Sequence, residues 1–318
     1  MKTIGFPISR KENERRRALI PRDAARIAHP GQLYIETGYG DVLGYTDADY
    51  EAAGCHIADF DGVMACDILC DAKIGDEPFL NDLRPGQIVF GWVHAVQNRD
   101  ITDAIAGNGA TAYCWEDMFE QGRHVFWRNN EIAGEAAVIH AFQCWGRMPY
   151  HCDVALIGRG NVARGALKIL DKMGANTMVY DRRTEKQFQK DLGNYDVLVN
   201  GILWDTSRTD HIVYRKDLER MRPNSLIIDI SCDAHGGIET SVATTIDDPV
   251  YVVEGVTHYA VDHTPALFYK TVSESLSAEM VKYLDQLIED KPGEVLLASR
   301  SIHDGRILDQ RILDFQHR

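Results

Sequence analysis

The sequence predicts an α/β protein of two Rossmann-like, doubly wound domains separated by a cleft, with the second domain abbreviated. Short apolar runs alternate with helical stretches along the 318 residues. Such alternation is typical of a parallel sheet that is covered by helices on both faces. The length exceeds the size at which one hydrophobic core usually divides, so two domains are expected.

The first half carries five apolar runs that are typical of buried strands. These runs are Thr3–Phe6, Leu33–Glu36, Asp67–Ala72, Gln87–Val93 and Thr111–Trp115. Between them, helices are predicted near Ala24–Ile27, near Asp47–Ala53 and over Asn98–Gly109, the last of which ends at a glycine.

A second series of strands and helices follows a long alanine-rich helix that is predicted over Glu131–Gly146. Strands are predicted at residues 153–158, 177–181, 196–202, 225–231 and 249–255, with helices from Asn161, over 184–192 and near Ser273–Glu289. We therefore predict a substrate-binding and catalytic domain of residues 1–130 with about 271–318, and a nucleotide-binding domain of residues 131–270.

The second domain has little chain beyond its second strand. Only one short helix fits between Asp181 and the next strand, which begins at Asp196. A full doubly wound sheet would place another strand in this interval. We therefore expect that edge strand to be missing and the strand ending at Asp181 to lie at the border of the sheet.

Charge and composition exclude several classes of protein. The net charge of −14 argues against a nucleic acid or an anionic membrane as the main partner. Seven scattered cysteines without a CxxC pair indicate neither a disulfide framework nor a zinc ribbon, and they fit a reducing cytoplasm. We expect no signal peptide, no membrane span and no metal site, because no apolar segment or His/Cys cluster of the needed kind occurs.

A glycine-rich turn predicts a dinucleotide site in the second domain. Gly158, Gly160 and Ala163 form a G-x-G-x-x-A pattern between an apolar run and a helical one. The first glycine allows a tight turn, and the second lets a pyrophosphate approach the backbone. The helix that starts with Asn161 and Val162 then offers its N–H groups to the phosphates. The alternative is a purely structural glycine turn.

The next strand carries the residues that would choose between NAD and NADP. Asp181 ends that strand 23 positions after Gly158, where an acid binds the ribose 2′-hydroxyl and favours NAD. Arg182 and Arg183 follow at once and offer a charge-assisted site for a 2′-phosphate. Ala163 in place of a third glycine is compatible with NADP as well. We expect NADP(H); the alternative is that the arginines are solvated and Asp181 selects NAD.

Four charged or titratable residues lie at or after the carboxyl ends of predicted strands. They are Arg16, Lys73, His94 and Asp233. The first two suit a carboxylate, His94 exchanges a proton near neutral pH, and Asp233 can orient water or an amine. Each residue alone is more often solvated or structural, and it is the set that predicts catalysis.

These residues resemble the alanine dehydrogenase and transhydrogenase α-subunit family. The opening pattern of the family is matched by Lys11, Asn13, Glu14, Arg16, Ala18, Leu19 and Pro21. The resemblance implies that Lys73 binds substrate and that His94 and Asp233 are catalytic. It also places Glu131–Gly134 in a family helix motif, and Asp262 in a loop beside the nicotinamide where an asparagine is usual. His263 is a second change in that loop.

The departures from an alanine dehydrogenase resemble the short N5-(carboxyethyl)ornithine synthase branch. The chain is shorter, Arg182 and Arg183 suggest NADP, and Asp262 suits an amine. The resemblance implies an NADPH-dependent reductive condensation of pyruvate with the side-chain amine of ornithine or lysine, by an assembly of identical subunits. Two alternatives stay open: an alanine dehydrogenase that uses ammonia, and a non-catalytic NADP-binding sensor or transhydrogenase-like subunit.

Overall fold

The computed structural model describes residues 1–205, 208–233 and 235–318. The chain divides into two compact units. Unit 1 consists of Met1–Phe126 together with Tyr269–Arg318, and unit 2 consists of Trp127–Phe268. Unit 2 is thus an insertion between two segments that together form unit 1.

The first segment of unit 1 alternates short strands and helices. Its strands are β1 (Ile4–Phe6), β2 (Leu33–Glu36), β3 (His56–Ala58), β4 (Ile68–Cys70), β5 (Ile88–Gly91), β6 (Thr111–Cys114), β7 (Phe119–Glu120) and β8 (Arg123–His124). Its helices are α1 (Pro21–Ala24), α2 (Asp47–Ala52), α3 (Phe60–Met64) and α4 (Arg99–Gly107). Short 3-10 turns join several of these elements.

Unit 2 begins with a long helix and then alternates strand and helix. Its elements are α5 (Trp127–Trp145), β9 (Asp153–Ile157), α6 (Asn161–Lys172), β10 (Asn176–Tyr180), α7 (Glu185–Asp191), β11 (Val197–Asn200), β12 (Leu226–Asp229), β13 (Val250–Val253) and β14 (Val256–Tyr259). The chain then returns to unit 1 with α8 (Tyr269–Ile288), α9 (Glu294–Ala298), β15 (Arg300–His303), β16 (Arg306–Ile307) and α10 (Gln310–Gln316).

The sheet of unit 1 has eight strands in the order β16-β15-β6-β5-β4-β1-β2-β3. Strands β1 to β6 pair in parallel, whereas β15 adds antiparallel to β6 and is followed by β16. The C-terminal segment therefore completes this sheet, and Ile302 and Ile312 are fully buried in its core. The sequence analysis assigned about residues 271–318 to the first domain but predicted no strand among them.

The sheet of unit 2 has six strands in the order β10-β9-β11-β12-β14-β13. Strand β10, which leads to Asp181, lies at the border, so the prediction of an abbreviated sheet is confirmed. Val154 and Leu156 of β9 belong to one core cluster, and Ala155 and Ile157 belong to another. Since neighbouring residues of a strand point to opposite faces, both faces of this sheet are covered, as in a doubly wound fold.

Some predicted elements are shifted or paired differently. The first helix is Pro21–Ala24 rather than a helix near Ala24–Ile27, because proline favours the first helical position. The long helix begins at Trp127, four residues before the prediction. The run 249–255 is not a further parallel strand: it pairs antiparallel with Val256–Tyr259 across a turn that contains Gly255 with a φ of 79°.

Helices α5 and α6 cross at two glycines. A Cβ added to Gly134 would lie 2.6 Å from the backbone nitrogen of Ala166, and one added to Gly165 would lie 2.6 Å from the carbonyl carbon of Glu131. Only hydrogen fits at either position. The close crossing holds α6, and with it the turn that precedes it, against the long helix of the unit.

Among the described residues, none of the helices combines the length and the apolar composition that a bilayer crossing requires.

Candidate active site

Three of the predicted site residues follow neighbouring strands of unit 1. Arg16 lies in the loop after β1, Lys73 follows β4, and His94 follows β5. These strands are adjacent and parallel, so their carboxyl ends share one edge of the sheet. The guanidinium of Arg16 lies 5.4 Å from the ring centroid of Trp92, two residues before His94. The loop after β1 therefore reaches the end of β5.

Arg16 is buried and paired with a carboxylate that the sequence analysis did not single out as catalytic. Its Nε donates to Oε1 of Glu14 at 2.8 Å, and its Nη2 donates to Oε2 at 2.5 Å. The backbone N–H of Arg16 also donates to Oε1 of Glu14, at 2.9 Å. The guanidinium and the carboxylate thus form the bidentate pair that is typical of arginine and an acid. These two hydrogen bonds fix the plane of the guanidinium.

Lys73 is also buried, at 8% exposure, and it lies beside a second acid. Its Nζ is 2.9 Å from Oδ2 of Asp76, which also pairs with Nζ of Lys11 at 3.0 Å. Although burial acts in the opposite direction, the ammonium groups of Lys73 and Lys11 hold the pKa of Asp76 below its usual value. Asp76 thus links the ammonium groups of Lys73 and Lys11 at this part of the edge.

His94 is exposed and its backbone is held in the left-handed region, with a φ of 53°. This conformation is uncommon for a residue with a side chain, and it clusters at functional sites. Glu116, just after β6, accepts the backbone N–H of His94 at 2.5 Å and that of Val93 at 3.2 Å. Desolvation raises the pKa of Glu116 to about 7. The sequence analysis missed Glu116, although it lies just past the end of a strand next to β5.

A buried acid at the end of β4 was missed as well. Asp71 is 2% exposed, and its Oδ2 accepts the backbone N–H of Lys73 at 2.6 Å. Burial, followed by the nearby carboxyl groups of Glu77 and Glu14, raises the pKa of Asp71 to about 8. The carboxyl group of Asp71 fixes the backbone from which the Lys73 side chain extends.

The glycine turn of unit 2 has the strand, turn and helix that the sequence predicts for a dinucleotide. Gly158 has a φ of 120°, and a Cβ there would lie 2.9 Å from the carbonyl oxygen of Gly201. Around Gly160, by contrast, none of the described atoms lies within 4 Å of an added Cβ. Helix α6 starts at the next residue, Asn161, followed by Val162. A phosphate therefore has both open space beside Gly160 and helix N–H groups facing it, so the turn fits a dinucleotide.

Ala163 completes the pattern and packs on a residue that the sequence analysis overlooked. A Cβ added to Gly201, after β11, would lie 3.1 Å from the backbone nitrogen of Ala163 and 3.3 Å from its Cβ. Ala163 fits here because the residue that it packs against, Gly201 just after β11, has no side chain. Gly201 thus contacts both ends of the turn, Gly158 and Ala163.

The charged residues after β10 are already linked to one another. Asp181 accepts Nε of Arg159 at 2.8 Å and the backbone N–H of Arg183 at 3.0 Å. The hydrogen bond from Arg159 is the largest of the effects that lower the pKa of Asp181. Arg182 donates from Nη2 to Asp205 at 3.0 Å. The sequence pointed to Arg182 and Arg183, whereas Arg159, between the two glycines, is the arginine whose side chain contacts Asp181.

A pocket of about 370 Å³ opens beside Asp181. It is lined by apolar side chains and by paired charges: Ile157, Tyr180, Asp181, Arg182, Glu185, Phe188, Ile202, Leu203, Trp204, Asp205, Arg208 and Ile212. Arg208 lies 4.6 Å over the ring of Trp204 and is bonded to Glu185 at 3.0 Å. The buried indole Nε1 of Trp204 has no hydrogen-bond partner among the described residues. A flat aromatic ligand fits a wall of such apolar and aromatic side chains.

Asp233 follows β12 and is half-buried. Burial, and next the carboxyl group of Asp229, raises the pKa of Asp233 to about 6, while a hydrogen bond from the backbone of Trp204 acts in the other direction. Asp229 itself is buried and accepts Nδ2 of Asn200 at 2.9 Å and the backbone N–H of Cys232 at 3.1 Å. Asp233 can therefore exchange its charge within the physiological range.

Asp262 follows β14, the strand next to β12, so its loop and that of Asp233 leave the same edge of the sheet. Its carboxylate is hydrogen-bonded to Nδ1 of the next residue, His263. The sequence analysis noted His263 only as a change in this loop. The structure shows it as the direct partner of Asp262.

Within residues 1–205, 208–233 and 235–318, the His, Cys, Asp and Glu side chains form no group of three that could hold a metal ion.

Two domain models match the chain. The model described as alanine dehydrogenase/PNT, N-terminal domain, matches residues 5–130, and that described as alanine dehydrogenase/PNT, C-terminal domain, matches residues 182–311. The second match runs from unit 2 into the closing segment of unit 1. Together the two matches cover most of the chain.

Individual proteins agree with the domain models. An N(5)-(carboxyethyl)ornithine synthase of Clostridium botulinum is 30% identical, over 88% of this chain and 93% of that protein. An alanine dehydrogenase of Mycobacterium tuberculosis is 27% identical, over 97% and 95%. The solved structure of an L-alanine dehydrogenase superposes with a TM-score of 0.83 at 20% identity, covering 99% of each chain. The chain is therefore an oxidoreductase of the alanine dehydrogenase/PNT family.

Proposed function

We propose that the chain uses NADPH to reduce the imine formed between pyruvate and the side-chain amine of an amino acid such as ornithine or lysine. This is an activity of the N5-(carboxyethyl)ornithine synthase type. The observation that carries the proposal is the set of Arg16, Lys73 and His94 on three adjacent parallel strands. The 30% identity to a protein of that name over most of both chains supports the choice of amine.

In this proposal, Arg16 and Lys73 bind the carboxylate of the keto acid. Glu14 holds the guanidinium of Arg16 in a fixed plane, and the backbone of Lys73 is fixed by Asp71. A guanidinium held in one plane by Glu14 and a nearby ammonium suit a carboxylate better than two mobile surface cations, because their orientation is set before binding. The keto carbon is thereby presented in one orientation.

His94 is proposed to exchange protons with the keto oxygen as the carbinolamine forms and loses water. Its exposed ring projects from a backbone that Glu116 holds in a left-handed conformation. An imidazole titrates near neutral pH, so it can donate and accept within one catalytic cycle. The carboxylate of Asp233 is proposed to stabilise the positive charge of the protonated imine.

The cofactor is proposed to lie along the turn of Gly158, Gly160, Asn161, Val162 and Ala163, with its adenosine part near Asp181. When bound, the reduced nicotinamide supplies the hydride that the imine carbon accepts. Arg182 and Arg183 are proposed to bind the 2′-phosphate. The engagement of Asp181 by Arg159 supports NADP, because a carboxylate that is already neutralised repels a phosphate less.

The remaining proposals concern the cell and the assembly. All seven cysteines, each within the described part of the chain, are free thiols, which supports a reducing compartment such as the cytoplasm. A homo-oligomer is proposed as what the resemblance to the family implies. Pyruvate and a basic amino acid are the proposed partners, without nucleic acid or membrane.

The decisive experiment follows NADPH oxidation with pyruvate and one amine at a time. We expect turnover with ornithine or lysine, and a much lower kcat/KM with ammonia. A dominant rate with ammonia would instead assign alanine dehydrogenase activity, for which the relative from M. tuberculosis provides support. Hydride exchange between two nicotinamide nucleotides without a keto acid would assign a transhydrogenase-like role, and binding of NADPH without any turnover would assign a sensor.

The role of His94 has its own test. His94→Asn is expected to reduce kcat by 100-fold or more and to leave the Kd for NADPH within about twofold, since general acid–base catalysis contributes roughly that much. His56→Asn, at an exposed histidine of the same unit, serves as the matched control. Near-full turnover by His94→Asn would refute the assignment.

A further inference from the structure

Asp76 of unit 1 lies between two ammonium groups, and the proposed function uses only one of them. Its Oδ2 is 2.9 Å from Nζ of Lys73 and 3.0 Å from Nζ of Lys11. Since both Nζ atoms lie within 3.0 Å of the same oxygen, they are less than twice that distance apart. Lys73 is assigned to the carboxylate of the keto acid. Lys11 and Asp76 therefore place a further cation and an anion directly beside the proposed position of that substrate.

The turn that carries Asp76 is fixed against the strand end that leads to His94. Asp76 ends a 3-10 turn, and the N–H of Gly75 in this turn donates to the carbonyl of Trp92 at 3.0 Å. A Cβ added to Gly75 would lie 2.8 Å from the carbonyl carbon of Val93, so only hydrogen fits there. The turn thus packs on the two residues that precede His94.

The loop that carries Lys11 is joined to the same turn. The backbone N–H of Lys11 donates to the hydroxyl of Ser9 at 3.3 Å, and that hydroxyl donates to the carboxylate of Glu77. The two oxygens of Glu77 also accept the backbone N–H of Arg10, at 3.0 Å and 3.1 Å. Because Glu77 is the residue after Asp76, the positions of Lys11 and Asp76 are set together, before any ligand arrives.

Other carboxylates near this loop have partners inside the protein: Glu14 with Arg16, Glu36 with Arg10, and Asp71 with the backbone N–H of Lys73. All three of these acids are buried. The side chain of Asp76 is 32% exposed and that of Lys11 is 17% exposed, so a ligand in solvent can reach both. A partly exposed ion pair is complementary to a zwitterion, whose carboxylate meets the cation and whose ammonium group meets the anion.

Resting on the proposed function, we propose that Lys11 binds the α-carboxylate and Asp76 the α-ammonium group of the amino acid whose side-chain amine reacts. The two carboxylates of the condensed product then lie on neighbouring ammonium groups, that of Lys73 for the part from pyruvate and that of Lys11 for the part from the amino acid. The flexible side chain of ornithine or lysine connects the two positions. The substrate class is therefore a free α-amino acid rather than a simple diamine.

The test compares Lys11→Met, Asp76→Asn and wild-type protein with NADPH, pyruvate and one of three amines. Ornithine carries both charges of the zwitterion, Nα-acetylornithine lacks the α-ammonium group, and putrescine lacks the carboxylate. Lys11→Met is expected to lose about 10- to 100-fold in kcat/KM for ornithine, the value of one or two charge-assisted hydrogen bonds. Its kcat/KM for putrescine should change less than about threefold, since no carboxylate is there to be bound. Asp76→Asn should lose more with ornithine than with Nα-acetylornithine.

Lys2→Met is the matched control, because it removes an ammonium group that pairs with Asp290 elsewhere in unit 1. It should behave like wild type with all three amines. The Tm of Lys11→Met should also equal that of wild type, since a partly exposed ion pair contributes little to stability.

The pattern across amines separates this role from a structural one, which would affect all of them alike. Equal losses with ornithine and putrescine, or an unchanged kcat/KM for ornithine in Lys11→Met, would overturn the assignment. If the wild-type protein does not use putrescine, the KM values of Lys11→Met decide: that for ornithine should rise, and that for pyruvate should stay within about twofold. If Lys11→Met does not fold, Lys11→Gln takes its place in the same comparison. Failure of the proposed function is distinguishable, because the wild-type protein would then show no NADPH oxidation that depends on ornithine or lysine.

Discussion

The backbone N–H of His94 donates to Oε1 of Glu116 over 2.5 Å, and this bond accompanies the left-handed backbone of the histidine. The carboxyl group comes from the loop after β6, one strand along from β5. The position of the imidazole therefore depends on an acid that itself titrates near neutral pH, since desolvation raises the pKa of Glu116 to about 7.

The first prediction concerns stability and pH. The folded-state pKa of Glu116 lies above its ordinary value of 4.5, so the folded chain holds a proton that the unfolded chain releases. This contribution is complete below about pH 4.5 and is lost as the pH rises through about 7. Wild-type protein should therefore lose roughly 1–2 kcal/mol more unfolding free energy between pH 5 and pH 8 than Glu116→Gln, after allowance for partial exposure.

Urea denaturation at the two pH values measures the effect. Glu120→Gln, at an exposed glutamate of the same unit, should behave like wild type. The same pH dependence in Glu116→Gln and wild type would show that Glu116 is not the group responsible.

The second prediction concerns the crossing of α5 and α6. Gly165→Ala places a methyl group 2.6 Å from the carbonyl carbon of Glu131, so the helices must separate. We expect a loss of at least about 2 kcal/mol, seen as a lower Tm in thermal unfolding. Gly107→Ala is the control, because none of the described atoms lies within 4 Å of its added Cβ. Equal melting temperatures for the two variants would contradict the tight crossing.

The third prediction separates ligand binding from folding at the glycine turn. Gly160 has open space around an added Cβ and an ordinary φ of −73°, so Gly160→Ala should leave the Tm of the ligand-free protein unchanged. The same methyl group would occupy the space proposed for the pyrophosphate, and we expect the Kd for NADPH to rise at least tenfold. Unchanged binding in a titration would place the pyrophosphate elsewhere.

The fourth prediction concerns the choice of cofactor. Arg182→Ala combined with Arg183→Ala should lower kcat/KM for NADPH by about 10- to 100-fold, the value of one or two charge-assisted hydrogen bonds. The effect on NADH should be smaller than threefold. Arg215→Ala, which removes a surface arginine paired with Glu254, is the matched control. Equal losses with both nucleotides would mean that the two arginines do not bind the 2′-phosphate.

The sequence predicted the parts of this fold that have a local cause. The strand Leu33–Glu36 and the start of α6 at Asn161 fall where predicted, because an apolar run and a glycine turn define them within a few residues. The border position of β10 followed from the short interval before Asp196. The pairing of β15 with β6 was out of reach, because it joins residues almost 200 positions apart and has no local signal.

The same distinction applies to the candidate site. Arg16, Lys73 and His94 were predicted from their positions after strands, and the structure places them at one edge of the sheet of unit 1. The sequence analysis missed four partners of these site residues: Glu14, Asp71, Glu116 and Arg159. The pairing of acids with bases depends on the paths of the loops, which the sequence does not show. His263 was seen only as a variation, because its hydrogen bond to Asp262 is a property of packing that a sequence does not display.

The interleaved order of the two units has a consequence for biosynthesis. When the ribosome has added Phe268, every residue of unit 2 has been synthesised. At that point unit 1 still lacks β15, Ile302 and Ile312. On the ribosome, unit 2 can finish folding first, while unit 1, which carries His94, keeps an uncovered edge at β6 until Arg300–His303 has been made. A nonsense mutation between codons 269 and 300 would therefore leave unit 2 complete and deprive unit 1 of β15.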